Sequence, residues 1–79
     1  MPKKTTLLPQ LGENIRMVRK KLSLSQEALA LEAGLDRSYI GGIERGERNV
    51  AVINLCRIAR VLKVKPGKLL DGVYLKNER

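Results

Sequence analysis

Apolar positions along the chain fall at helical spacing. Leu11, Ile15, Val18 and Leu22 repeat at i, i+4, i+7 and i+11, one face of a first helix over Leu11–Lys21. Pro9, just ahead, is tolerated in or before a first helical turn. Two shorter segments follow, on either side of Gly34. Gln26–Ala33 carries Ala28, Leu29, Ala30 and Ala33; Asp36–Arg45 carries Ile40 and Ile43, with Leu35 just before it. Helices of fewer than about a dozen residues are marginal alone, so these two must lean on each other and on a third element. Within Val50–Leu62 the stripe Val52, Leu55, Ile58, Ala59 and Leu62, widened by Cys56, predicts a fourth helix. Lys65–Leu70 predicts a short fifth helix with Pro66 at its first position, ended by the turn Asp71-Gly72.

The residues between these segments make the central pair specific. Ser25 is the expected N-cap of the second helix, although Ser23 with Gln26 also fits a capping box. Gly34 can end that helix in the left-handed conformation, and Leu35 would plug the turn into the core. The small Ala30 lets the two helices approach. Asp36 is the expected N-cap of the third helix, and Gly46 the residue just past its end. Ile40 and Ile43 share one face, which leaves Arg37, Ser38, Gly41 and Gly42 pointing outward. Two short helices joined by a glycine-containing turn form a helix-turn-helix unit. The expected fold is therefore an all-α domain of five helices. It occupies 9–72, between a flexible basic arm at 1–8 and a tail at 73–79.

Composition narrows the chemistry. Sixteen Lys and Arg against eight Asp and Glu give a net charge of +8, with no histidine. So basic a small domain points to a polyanionic partner, with nucleic acid ahead of a membrane surface. No apolar run approaches the roughly 20 residues that span a bilayer, and no signal-peptide core follows the basic start, so a cytoplasmic location is expected. The single cysteine, Cys56, cannot form an internal disulfide, and is expected to be a small core residue. No metal site, cofactor or catalytic set is expected: histidine, a phosphate loop and a nucleophile beside a base are all missing. Two tyrosines and no Phe or Trp argue against recognition by aromatic stacking on single strands.

The run Leu35-Asp36-Arg37-Ser38-Tyr39-Ile40, followed by Gly42-Ile43-Glu44-Arg45, closely resembles the helix-turn-helix of the Cro/CI repressor (XRE) family. Its nearest likeness there is to the small controller proteins of restriction-modification systems. The resemblance spans Leu11 to Leu70, with the glutamine, alanine, glycine and two isoleucines at the family's spacing. It implies an ion pair between Arg19 and Glu44 that clamps the first helix to the third, with Glu44 a scaffold residue. It also implies that Gln26 touches backbone phosphate and braces the recognition helix, and that C-terminal helices supply a dimer seam. The chain departs from the family at Ala51 and Lys65, where a capping side chain is usual, and the likeness fades after Leu70.

Candidate contacts follow from the third helix as reader. Arg37 and Ser38 lie in its first turn, where recognition helices meet base edges; arginine can bind guanine O6 and N7 bidentately. Tyr39 is either a DNA contact or a partly packed aromatic. Gly41-Gly42 implies close approach of backbone to DNA or to a neighbouring helix, and Gly42 is counted with the site. Arg45, Arg48 and Asn49, in the loop beside the reader, are expected phosphate contacts, and Lys3 and Lys4 of the arm are others. The expectation is a homodimeric regulator on a pseudo-palindromic site in duplex DNA, acting by promoter occupancy, with RNA polymerase as a further partner. The controller likeness adds activation at low and repression at high occupancy. In 79 residues no separate ligand-binding domain is expected, so control would follow concentration. The rival is a protein-interaction module, such as an antitoxin or a bridging factor, suggested by the apolar tail.

Overall fold

The computed structural model describes residues 7–74. Within them every regular element is a helix: α1 (Leu7–Lys21), α2 (Gln26–Ala33), α3 (Arg37–Glu44), α4 (Val52–Leu62) and α5 (Pro66–Leu69). The five-helix, all-α architecture matches the sequence expectation. Residues 1–6, with Lys3 and Lys4, and 75–79 lie outside the described residues.

α1 begins one turn earlier than its stripe predicts. Pro9 sits third in the helix, where a backbone N–H has no intrahelical acceptor, so its absence costs nothing there. The helix stops at Lys21, and Leu22 leaves the register of Leu11, Ile15 and Val18 to stand exposed. Leu24 packs on the core in its place. Ser25 caps α2, its Oγ accepting from the Ala28 N–H at 2.9 Å. Gly34 ends α2 at φ 73°, and the Leu35 N–H closes the turn on the Ala30 carbonyl at 2.8 Å. Asp36 holds the N-cap position of α3, but its carboxylate makes no capping bond, contrary to expectation. α4 and α5 start at Ala51 and Lys65 without a side-chain cap, as those residue types require.

The core is one cluster to which all five helices contribute: Leu11 and Ile15, Leu29 and Ala30, Ile40 and Ile43, Leu55, Ile58, Ala59 and Leu62, and Leu69. Cys56 is exposed, correcting the core assignment. Leu55, Ile58, Ala59 and Leu62 define the inward face of α4. Cys56 follows Leu55 by about 100° of rotation and falls on the outer side with Val52, one turn earlier. Of the apolar C-terminal residues, Leu69 is buried and Val64 and Val73 half-buried, whereas Leu70 and Tyr74 are exposed. Asn14 fastens this end to α1, its Nδ2 donating to the carbonyls of Leu69 at 2.9 Å and Asp71 at 2.7 Å.

Two glycines have opposite surroundings, and only one of them sets how closely a helix approaches α3. A Cβ on Gly12 would lie 2.6 Å from the Glu44 carbonyl oxygen, and nearer still to that of Ile43, so α1 rests directly on α3 backbone. A Cβ on Gly41 would meet only the tip of Arg45, at 3.1 Å, and the Gln26 side chain at 3.5 Å. Gly12→Ala should therefore destabilise by about 1–3 kcal/mol, the usual cost of overpacking against atoms that cannot turn aside. Gly41→Ala should stabilise by up to about 1 kcal/mol, because helix propensity improves and an exposed arginine moves easily. Thermal unfolding of the two variants checks this, since each kcal/mol shifts Tm by roughly 4–8 °C in a domain this small. Movement of both midpoints in the same direction would contradict the packing account.

Candidate nucleic-acid interface

The position of α3 is set from behind by charge. Arg19, on the last turn of α1, and Glu44, at the end of α3, are 7% and 9% exposed. The guanidinium grips the carboxylate with two bonds, Nε to Oε2 at 2.6 Å and Nη2 to Oε1 at 2.8 Å. A third donor, Nη1, bonds the Leu24 carbonyl at 2.8 Å in the turn before α2. Gln26, the first residue of α2, donates through Nε2 to Glu44 Oε1 at 3.0 Å. One carboxylate therefore joins α1, α2 and α3. Hydrogen bonding to Glu44 holds the Arg19 guanidinium above its already high ordinary range, burial pulls against this, and the Glu44 charge adds to the rise. A pKa raised on folding stabilises below the unfolded value and is lost only as pH climbs through the folded one. Both lie far into alkali for arginine, so nothing of this contribution is lost near neutrality.

The opposite side of α3 faces solvent. Arg37 and Ser38, in its first turn, are exposed. Arg45, Arg48 and Asn49 are exposed on the segment that follows. Arg45 Nε pairs with Glu47 Oε1 at 3.0 Å, an exposed contact of little energetic weight. Tyr39 is half-buried, its ring against the core and beneath the Arg48 guanidinium, 5.3 Å from the ring centroid. The ring is partly packed, one of the two alternatives raised for Tyr39.

Gly41 and Gly42 are buried, which corrects their outward assignment. Gly42 lacks room rather than cover: a Cβ would lie 2.6 Å from Arg48 Cγ, so the arginine stem occupies the space of the missing side chain. No neighbouring helix backbone comes near either residue; Arg45 and Gln26 cover Gly41 in the same way. Gly42 therefore serves as a bed for Arg48. Gln26 is half-buried and donates one amide N–H to Glu44, a bond that ties the start of α2 to the end of α3.

Sequence reading overlooked Asn54. Its Nδ2 donates to the Tyr39 hydroxyl at 3.2 Å. The signal was present: Asn54 is one turn before the fully buried Ile58 on the inward face of α4, and a polar side chain there needs a partner. Asn54, Tyr39 and Arg48 line an open concavity with Gly34, Leu35 and Asp36.

Comparison with known proteins agrees with this geometry. Residues 15–69 match the helix-turn-helix family model HTH_3. The chain is 48% identical over 69 residues to Control protein C.SmaI of Serratia marcescens, covering 87% of this chain and 82% of that one. The crystal structure of the restriction-modification controller protein C.AhdI from Aeromonas hydrophila is similar at TM-score 0.77 and 47% identity, over 78% of this chain and 94% of its own. SinR, a master regulator for biofilm formation solved in complex with DNA, is similar at TM-score 0.75 and 35% identity, over 77% and 98% of the two chains.

The buried pair yields a stability test. Arg19→Ala or Glu44→Ala leaves one charge buried without its partner and should cost about 3–5 kcal/mol. Replacing both with apolar residues of similar size, Arg19→Met with Glu44→Leu, should cost less than either single change, because no stranded charge remains. Urea unfolding of the four proteins measures this. A double variant as unstable as the sum of the singles would show that the pair is not coupled.

Proposed function

Since the chain belongs to the helix-turn-helix (HTH_3, or XRE) family, we propose that it is a transcriptional regulator of the restriction-modification controller type, reading duplex DNA through α3. One observation carries this most directly. The Arg19–Glu44–Gln26 bonds hold α3 from its inner side, while Arg37 and Ser38 are exposed on its outer side. A recognition helix must be rigid behind and exposed in front, because bidentate base contacts tolerate little angular play. The roles follow from place. Arg37 and Ser38 meet base edges. Arg45, Arg48 and Asn49 meet phosphates, and the net charge of +8 supplies the sequence-independent attraction.

The regulator acts as a homodimer on a pseudo-palindromic operator, with half-sites about 34 Å apart, one helical turn. Exposed apolar side chains support self-association. Val52 and Ile53 open α4 at 75% and 69% exposure, and Leu70 and Tyr74 are exposed at the C-terminal end. The operator controls the protein's own promoter, activating at low occupancy, in contact with RNA polymerase, and repressing at high. No described helix is long and apolar enough to cross a membrane, which is consistent with a cytoplasmic, DNA-associated location. The same apolar residues favour one second reading, a module that binds another protein, with DNA binding secondary.

Selection of bound fragments from genomic DNA at near-physiological salt separates the readings, since low salt rewards non-specific phosphate binding. The regulator returns a pseudo-palindrome; the interaction module returns only diffuse, salt-sensitive enrichment. On the selected duplex, Arg37→Ala should lose about 1–3 kcal/mol and relax preference at one base position per half-site. Arg45→Ala should weaken cognate and scrambled duplexes alike. Equal loss on both duplexes for Arg37→Ala would remove it as the reader. Ile53→Glu should change stability by no more than about 0.5 kcal/mol, as surface changes do, while lowering the sedimenting mass at a fixed concentration. An unchanged mass would place the dimer seam elsewhere.

A further inference from the structure

The Tyr39 hydroxyl is committed on one side only. An amide nitrogen is a donor with nothing to accept, so the bond from Asn54 Nδ2 at 3.2 Å makes the phenolic oxygen the acceptor. The phenolic proton is then free for a second partner. Among the described residues the hydroxyl makes no other hydrogen bond. Arg48 lies over the same ring at 5.3 Å, held there by packing on Gly42, and forms no ion pair among the described residues. The Tyr39 hydroxyl, with its donor uncommitted among the described residues, and the Arg48 guanidinium thus belong to residues that line one open concavity.

We propose that Asn54 is a positioning residue: by donating to Tyr39 Oη it turns the phenolic proton outward, where Tyr39 and Arg48 together form a preformed seat for one backbone phosphate of DNA. This rests on the DNA-binding reading above and adds a residue of α4 that does not itself touch the nucleic acid. The chemistry fits a phosphate. Its oxygens accept from both donors at once, and the cation supplies the charge that a tyrosine hydroxyl lacks. Asp36 also lines the concavity and its carboxylate opposes an anion, so the seat is confined to the Tyr39 and Arg48 donors and does not fill the concavity. Preformation matters because the rotamer of a long arginine is already restricted before DNA arrives, which reduces the ordering cost of binding.

A double-mutant cycle on duplex DNA tests the assignment. Asn54→Ala should weaken binding about three- to ten-fold, the worth of one hydrogen bond, and equally on cognate and scrambled duplexes. In a Tyr39→Phe background the same change should have no further effect. Arg48→Ala should lower the slope of log affinity against log salt by about one, whereas Asn54→Ala should leave the slope unchanged, because it removes no cation. Asn54→Asp, which offers acceptors but no donor, should fail to restore affinity. Equal losses from Asn54→Ala with and without the Tyr39 hydroxyl would overturn the proposal, as would no loss at all, or full affinity in Asn54→Asp. Thermal midpoints of each variant separate misfolding from lost contacts. A wild-type chain with no affinity for DNA would sink the DNA-binding reading itself, whereas firm wild-type binding with an uncoupled Asn54 would sink only this inference.

Discussion

Everything on the exposed side of α3 depends on a carboxylate that never reaches it. Glu44 receives two bonds from Arg19 and one from Gln26, and Arg19 spends a further donor on the Leu24 carbonyl. These bonds tie the end of α1, the turn before α2, the start of α2 and the end of α3 into one unit. α2 and α3 have eight residues each, too few to persist alone. Apolar burial makes them helical and holds them in the core, but it is non-directional, and a helix can rock on an apolar face at little cost. A buried bidentate pair is directional, and its geometry is satisfied at one mutual orientation. Burial of the charges is tolerated because the pair meets its hydrogen-bonding needs within the protein, leaving no buried polar side-chain atom unmatched among the described residues.

The outer face is organised differently. It is built from long, exposed side chains, which ordinarily lose much conformational freedom on binding. The structure reduces that cost locally. Gly42 vacates the space that the Arg48 stem fills, Tyr39 offers its ring to the guanidinium, and Asn54 engages the Tyr39 hydroxyl. Arg37 and Ser38 are exposed, and among the described residues no such contact holds them. The division suits the proposed reading, in which phosphate contacts set register and base contacts discriminate.

Much of this was legible without coordinates. Apolar periodicity located α1 to α4, because a buried face imposes its period on the sequence, whereas α5 was read from Pro66 and the turn Asp71-Gly72. Ser25 and Gly34 announced the boundaries of α2, because a cap and a left-handed residue act within a few residues of the chain. The Arg19–Glu44 pair came from family likeness; nothing in the spacing of two residues 25 apart would have joined them. Cys56 and Leu22 were misplaced for different reasons: Cys56 is turned about 100° from Leu55 onto the outer side of α4, whereas Leu22 lies past the end of α1, where the helical register no longer holds. A stripe shows which residues recur near an apolar face, but not how wide that face is or where the helix stops.

What the sequence determined by itself is therefore whatever depends on short-range geometry: helix existence, caps, the central turn, the sign of the charge, and the placing of Arg37 and Ser38 at the head of α3. Tertiary structure alone decided which side chains meet across helices. It brought Asn54 of α4 to Tyr39 of α3, laid Arg48 over Gly42, seated α1 on α3 backbone at Gly12, and fastened the C-terminal end to α1 through Asn14. The physical reason is that local rules reach about one helical turn, whereas these contacts are set by the relative positions of whole helices, which only the closing of the shared core fixes.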